Sequence, residues 1–160
     1  MNFSKEPIKM VDCIEWTIKK NGKIVKEHLA YDLLTNAGFA GMAALILTDV
    51  GGTPFDYIGI GSGTIAANVV DATLGTEAKR KAAVGTRVTT SVANDTAQWV
   101  ATFSSADTLS GTMAWSEVGI LNGASGSTLL MRQVFTAETL DWDAGDSVQI
   151  TVKIQFKQGA

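Results

Sequence analysis

The last segment of the sequence constrains the fold more than any other. From residue 146 to residue 156 apolar side chains occupy every second position, and the positions between them are polar or charged. The apolar residues are Val148, Ile150, Val152, Ile154 and Phe156. This period of two predicts a β-strand with one buried face. Such a strand can bury its apolar face only against a second layer, so the sequence predicts a sandwich or a barrel.

The chain as a whole is long enough for one domain with a single core. It has 160 residues, of which 46% are hydrophobic, and this content is sufficient to bury one core. Residues 1–10 contain Pro7 and show no period, so we expect an N-terminal arm there. We expect residues 11–160 to form one mainly β domain, an antiparallel β-sandwich or jelly-roll-like fold with an N-terminal hairpin and one short helix.

Charge and composition argue against several classes of function. The 13 basic and 16 acidic side chains give a formal charge of −3, which provides no electrostatic basis for binding nucleic acid or an anionic membrane. Cys13 is the single cysteine, so the sequence predicts no internal disulfide, a filler role for Cys13 and synthesis in a reducing compartment. The N-terminus lacks the apolar segment of a cleaved signal peptide, so we expect a protein that is not exported by that route.

Local patterns predict the N-terminal hairpin and the helix. Residues 11–30 form two extended segments around Asn21-Gly22, a dipeptide that suits a type I′ turn because both central residues of that turn need positive φ. His28 lies on the charged second segment and is expected at a sheet edge rather than in a catalytic or metal site. From Thr35 or Asn36 onward, apolar side chains recur at spacings of three and four, which predicts a short helix on the sheet edge that stops at residues 51–54.

The middle of the chain is rich in glycine and weakly periodic. Residues 55–60 are predicted to form a strand that runs into the segment Gly61-Ser62-Gly63-Thr64. This segment lacks the third glycine of the dinucleotide fingerprint and the lysine of a P-loop, so a glycine-rich bend is favoured over a phosphate site. Residues 66–83 show no strong period, and two interpretations are open for them: a functional loop and a partly helical surface segment.

From residue 84 onward, turn signals recur every ~8 to 12 residues, which is typical of an antiparallel sandwich or barrel. The predicted strands are residues 87–93, 98–103, 113–121 and 128–135. Within the hairpin of the last two strands, a four-residue loop at residues 123–126 places Glu117 directly opposite Arg132. We interpret these two residues as a structural ion pair, because a lone carboxylate lacks a partner for general acid–base catalysis.

Few features of the sequence suggest a ligand. The acidic residues 141–146 lack the twelve-residue loop of a helical calcium site, so a polar turn is favoured there. Trp142 lies in this turn and is expected to be exposed, whereas the other tryptophans lie in strand patterns where core packing is expected: Trp16, Trp99 and Trp115. No catalytic set of residues is present, so we expect no enzyme activity, no cofactor and no metal.

Six segments, taken in order, resemble small virion proteins of tailed bacteriophages. They are LLTNAGF at residues 33–39, YIGIGSGT at 57–64, DATLGTE at 71–77, EVGILN at 117–122, SGSTLLMR at 125–132 and GDSVQIT at 145–151. The order of the segments is more specific than any one of them. The resemblance extends from about residue 30 to the C-terminus.

The resemblance implies a structural protein of the virus particle. Among such proteins it favours a capsid decoration, or cement, protein, a class often found as trimers of small β-sandwiches or jelly rolls on the shell. The implied partners are the major capsid protein and further copies of the chain in a homotrimer, with the N-terminal arm gripping the capsid or a neighbouring subunit. The implied location is the virion, after synthesis in the cytoplasm of the host bacterium.

Other functions stay open at this stage. The same segments are similar to parts of tail-fibre and tail-tip proteins, which implies a tail structural protein that could bind a receptor or carbohydrate. A carbohydrate-binding module is a further alternative, because tryptophan side chains can stack on sugars. An enzyme would need a cleft with perturbed ionisable groups, and this sequence offers one histidine, one cysteine and scattered carboxylates.

Overall fold

The computed structural model describes residues 8–47 and 51–158 and forms two packed antiparallel sheets. Strand accounts for 55% of the described residues and helix for 10%, so the prediction of a mainly β sandwich with one short helix is confirmed. The strands are β1 (Ile8–Lys20), β2 (Lys23–Ala30), β3 (Leu33–Leu34), β4 (Tyr57–Gly61), β5 (Glu77–Ala82), β6 (Val84–Val88), β7 (Thr96–Phe103), β8 (Thr112–Leu121), β9 (Leu129–Asp141) and β10 (Ser147–Gln158). Helix α1 spans Asn36–Ile46, and a single 3₁₀ turn spans Ser105–Asp107.

Each sheet has five strands, and the chain passes back and forth between the two sheets. The first sheet has the order β2-β1-β10-β7-β6, and the second has the order β3-β9-β8-β4-β5. The longest pairing joins β1 to β10, from Ile8 opposite Gln158 to Lys19 opposite Ser147. The first and last strands described therefore lie side by side within the first sheet.

Strand β10 forms one wall of the core, as its alternation predicts. Val148, Ile150, Val152 and Ile154 are all buried against the opposite sheet. The alternation fails at Phe156, which is 45% exposed. This residue borders a cleft between α1 and the ends of the two sheets, beyond the part of the core that the second sheet covers.

The predicted N-terminal hairpin is confirmed. Asn21 and Gly22 connect β1 to β2 with φ angles of 47° and 76°, as a type I′ turn requires. The boundary of the predicted arm is wrong, because residues 8–10 belong to β1 and pair with residues 156–158 of β10. The rest of the predicted arm, residues 1–7, lies outside the described residues.

Helix α1 begins where the sequence predicts. Thr35 is its N-cap: the Thr35 Oγ1 accepts a hydrogen bond from the Gly38 N–H at 2.9 Å and donates one to the carbonyl of Leu129 at 2.5 Å. A Cβ atom at Gly38 would lie 2.3 Å from the Leu130 carbonyl oxygen. Glycine weakens a helix by up to ~1 kcal/mol relative to alanine, but here it lets the helix backbone rest directly on β9.

Several strand boundaries differ from the prediction. The first part of residues 66–83 is irregular, but residues 77–82 form β5 at the edge of the second sheet, so neither a loop nor a helix describes that part. Charged side chains occupy this edge strand, and they mask the alternation that identifies a half-buried strand. Strand β6 ends at Val88 rather than at residue 93, and β9 continues to Asp141, six residues beyond its expected end at Phe135.

Candidate functional site

The buried ion pair between Glu117 and Arg132 is the most ordered polar feature of the second sheet. The Glu117 Oε2 accepts a hydrogen bond from the Arg132 Nε at 2.9 Å. The predicted register is wrong, however: Glu117 lies opposite Val134 and Arg132 opposite Gly119. The loop is one residue longer than expected, since Asn122 bonds to Thr128, and the pairing shifts once more between Ile120 and Leu121. The side chains therefore meet diagonally across the hairpin, within the reach of long side chains.

Backbone N–H groups from a distant loop complete the coordination of the Glu117 carboxylate. The Glu117 Oε1 accepts hydrogen bonds from the N–H groups of Gly63 at 3.0 Å and Thr76 at 2.6 Å. The Glu117 Oε2 accepts one from the N–H of Gly75 at 2.9 Å. Burial by itself raises the pKa of Glu117, but these N–H donors and the Arg132 guanidinium outweigh it and hold the pKa below its ordinary value. Glu117 is thus an internally bound carboxylate that is ionised at neutral pH.

The glycine-rich segment Gly61-Ser62-Gly63 is shaped to receive this carboxylate. A Cβ atom at Gly61 would lie 2.5 Å from the Glu117 Oε1 and 2.3 Å from the Thr76 carbonyl oxygen. A Cβ atom at Gly63 would lie 2.6 Å from the same Glu117 oxygen. Side chains at these positions would push the loop away from the carboxylate. The N–H of Gly63, which a phosphate would need, is already used by Glu117.

Arg132 connects a second carboxylate to the cluster. The Arg132 Nη1 donates a hydrogen bond to the Asp71 Oδ2 at 2.8 Å. The Arg132 Nη2 lies 2.8 Å from the Glu117 Oε2, but its N–H groups do not point at that oxygen, so this contact is electrostatic and Nη2 has no hydrogen-bond partner. One arginine between two carboxylates leaves a formal charge of −1 in the cluster, which disfavours binding of a further anion.

The cluster joins parts of the chain rather than presenting reactive groups. Glu117 is fully buried, and all its ordinary acceptor positions are in use, so it is poorly placed to transfer a proton to a substrate. A small cavity of about 140 Å³ lies beside Arg132, lined by Ser62, Gly63, Thr64, Ile65, Gly75, Thr76 and Arg132. The ion pair and its N–H donors fasten the irregular loop between β4 and β5 to the β8–β9 hairpin.

A second pair of carboxyl groups lies near the open end of the core. Asp12 is two residues from the buried Ile14, on the side of β1 that faces the second sheet. Asp32 lies in the connection between β2 and β3, and both its carboxyl oxygens are buried without a donor. Burial, a hydrogen bond that the protonated Asp32 donates to the Asp12 carboxylate and the charge of Asp12 raise the pKa of Asp32 to about 9. Asp32 is therefore protonated at neutral pH.

The tryptophans do not form a sugar-binding surface. Trp142 is 1% exposed, so its predicted exposure is wrong. Its backbone lies in a turn, where its N–H donates to the Gly111 carbonyl at 3.0 Å, but its side chain points into the core. Trp16 and Trp115 are buried as expected and contact each other edge to face at 5.4 Å. Trp99 is partly buried and packs against the core.

The remaining residues that were considered as ligand or catalytic candidates have structural roles. Asp146 accepts a hydrogen bond from the N–H of Asp141 at 2.9 Å, which closes the acidic segment as a polar turn. His28 is exposed on edge strand β2, where its ring stacks on Trp16 at 4.3 Å. Cys13 is partly buried, and burial raises the pKa of its thiol. Within residues 8–47 and 51–158 no three histidine, cysteine or carboxylate side chains converge in a way that could hold a metal ion.

Eight of the fifteen large apolar side chains that are exposed among the described residues lie on two elements or on the residue after each. On β2 and the connection after it, Ile24, Val25, Leu29 and Tyr31 are each more than half exposed. On α1 and the residue after it, Phe39, Leu45, Ile46 and Leu47 are exposed. In the part of the chain that the structure describes, no helix is long and apolar enough to cross a membrane.

Comparisons of this chain with protein families, with curated proteins and with solved structures found no match.

Proposed function

We propose that this chain is a capsid decoration protein of a tailed bacteriophage, which binds the outside of the head and stabilises the shell. Its partners in this proposal are the major capsid protein and further copies of itself, in a homotrimer. Its location is the virion, after synthesis in the host cytoplasm. The resemblance of six ordered segments to small phage virion proteins suggests this class, and the geometry of the domain is compatible with it.

The observation that carries the proposal is the distribution of exposed apolar side chains. Single exposed apolar residues are common in monomeric proteins, but exposed apolar patches mark contact surfaces. Here eight of the fifteen exposed large apolar side chains among the described residues lie on edge strand β2, on helix α1 or on the residue after each, whereas Glu117 and Arg132 are used internally. A small rigid body with two apolar surfaces is suited to making contacts with several neighbours at once, and many weak contacts add up on a repeating shell.

The buried positions of the tryptophans weaken the carbohydrate-binding alternative. That alternative depended on Trp142 as an exposed platform, and Trp142 lies in the core. The strongest carboxylate candidate for acid–base chemistry, Glu117, is fully buried and internally neutralised. Both observations support a role as a building block over a role in binding sugars or in catalysis.

Reconstitution on heads tests the proposal. Heads from particles that lack the protein are mixed with the purified chain, separated by sedimentation and imaged by cryo-electron microscopy. We expect saturable binding at regularly repeated sites on the shell, and release of DNA at a higher temperature than from bare heads. Density for the chain on the tail alone would overturn the proposal in favour of the tail-fibre alternative. Absence of binding to bare heads at all salt concentrations would also overturn it.

A further inference from the structure

We infer that the outer face of helix α1 is the surface through which copies of this chain bind one another. This face consists of Phe39, Ala40, Ala43, Ile46 and Leu47, and we call it the helix patch. The inference deepens the function proposed above, because it rests on the self-association in that proposal and identifies the surface responsible.

Helix α1 is apolar on both its faces. Its inner face packs on the domain through Gly38, against the Leu130 backbone, and Gly41, whose added Cβ atom would lie 2.6 Å from the Phe55 ring. Its outer face is exposed and also apolar: Ile46 is 83% exposed, Leu47 53% and Phe39 46%. A surface helix ordinarily carries polar side chains opposite its buried stripe, and a helix that is apolar all round is ordinarily buried. Within residues 8–47 and 51–158 no segment covers the helix patch, so a partner is needed to bury it.

The absence of charged residues on α1 favours an uncharged binding surface as its partner. No charged residue occurs from Leu33 to Leu47, so two such surfaces can meet without burying an unpaired charge. The chain also has no lysine or arginine between Lys26 and Lys79. Interfacial helices that bind anionic lipids carry basic residues on their polar side, and α1 has neither the polar side nor the basic residues. Helix α1 of a second copy offers the same uncharged, apolar surface. We therefore take a second copy of this chain as the partner.

The side-chain sizes on the helix patch suit a contact between helices. Phe39, Ala43 and Ile46 follow one another at spacings of four and three, so they form one stripe along the helix. The small Ala43 lies in the middle and allows close approach of helix axes, while the larger side chains fill the space one turn away on either side. Val69 and Val70 extend the apolar area at the start of the helix, where the N–H of Asn36 donates to the Val69 carbonyl at 2.7 Å.

Charged substitutions on the helix patch test the inference. Ile46→Glu and Ala43→Glu alter side chains that are exposed in the single copy, so the fold of each variant should be retained and is checked by circular dichroism. Val92→Glu is the matched control, because Val92 is 68% exposed but lies in the connection between β6 and β7 rather than on the helix. The oligomeric state of each protein is measured by sedimentation velocity over a range of concentrations.

We expect the unaltered chain and Val92→Glu to self-associate and both helix variants to dissociate, with an affinity lower by about 100-fold or more because a charge would be buried at the contact. The inference is overturned if the unaltered chain stays monomeric at every concentration, or binds phosphatidylcholine vesicles instead of itself. It is also overturned if the helix variants associate as well as the control.

The failure of this inference can be distinguished from the failure of the proposed function. If the helix variants still associate while the unaltered chain binds bare heads, the surface is wrong and the decoration function stands. If the helix variants dissociate as expected but the unaltered chain ignores bare heads, the contact surface stands and the decoration function is wrong.

Discussion

Replacing Asp32 by asparagine should stabilise the protein at neutral pH. The carboxyl oxygens of Asp32 are buried without a donor, and the neighbouring acid is Asp12. An ionised Asp32 would place a second negative charge in this position, so the folded state keeps Asp32 protonated. The unfolded chain has no such constraint and releases the proton. Asparagine is uncharged in both states and can donate a hydrogen bond to Asp12.

The size of the effect follows from the shift in pKa. Folding raises the pKa of Asp32 from 3.8 to about 9, so the folded state binds one more proton than the unfolded state between these values. The contribution of Asp32 to stability is fully present below pH 3.8 and is lost as the pH rises toward 9. Each pH unit in this window changes the free energy of unfolding by about 1.4 kcal/mol, so the loss at pH 7 reaches about 4 kcal/mol.

Urea unfolding at a series of pH values measures this contribution. The free energy of unfolding is determined from pH 4 to pH 8.5 at one protein concentration, since self-association makes stability depend on concentration. The unaltered protein should lose about 1.4 kcal/mol per pH unit relative to Asp32→Asn, and the two proteins should have nearly equal stability at pH 4. Asp56→Asn serves as the control, because Asp56 is exposed, and its curve should follow that of the unaltered protein.

Two results would refute the reasoning. If the curves of the unaltered protein and Asp32→Asn run parallel between pH 5 and pH 8, then Asp32 does not take up a proton on folding. If Asp32→Asn is less stable than the unaltered protein at pH 7, then Asp32 is ionised in the folded state and has a cationic partner.

Two further predictions concern stability. Glu117→Gln should lower the free energy of unfolding by about 3 to 5 kcal/mol, because it leaves the Arg132 charge buried without its main partner. Glu15→Gln, which alters the more exposed ion pair with Lys153, should cost less than about 1 kcal/mol in the same urea titration. Ile150→Asp should cost several kcal/mol by placing a charge in the core, whereas Gln149→Asp, on the exposed face of the same strand, should change the thermal midpoint little. Equal losses within either pair would contradict the assigned burial.

The parts of the fold that could be predicted depend on local signals. The hairpin turn at Asn21-Gly22 and the cap at Thr35 are encoded within a few residues, and both occur where the sequence indicates. The register of the β8–β9 hairpin could not be counted from its loop, because an irregularity between Ile120 and Leu121 shifts the pairing before it reaches Glu117. Irregularities of this kind have no reliable sequence signal. The diagonal geometry of the ion pair therefore could not be obtained by counting residues from the loop.

The partners of the buried charges could not be predicted because they are distant in sequence. Gly63 and Thr76 reach Glu117 only after β4 has paired with β8 and with β5 within the second sheet. A signal was nevertheless present, because Glu117 stands within an otherwise apolar strand, and a buried carboxylate requires several donors. Asp12 gave a similar signal: it shares a strand face with Ile14, which places it toward the core. The exposed outer face of α1 had no signal, because an apolar helix looks the same in sequence whether a domain or a partner covers it.

The pairing of β1 with β10 determines when the first sheet can form. These strands occupy the second and third positions of a five-stranded sheet, and more than 120 residues separate them along the chain. Strand β7 also joins that sheet only through β10 and carries β6 with it. On the ribosome, the second sheet can assemble from β3, β4, β5, β8 and β9 as soon as residue 141 has emerged, but the first sheet must wait for residues 147–158. Until then the N-terminal hairpin shows its apolar side to solvent. Contacts this distant in sequence slow folding, so the newly made chain should depend on chaperones most in the interval before its last strand inserts between β1 and β7.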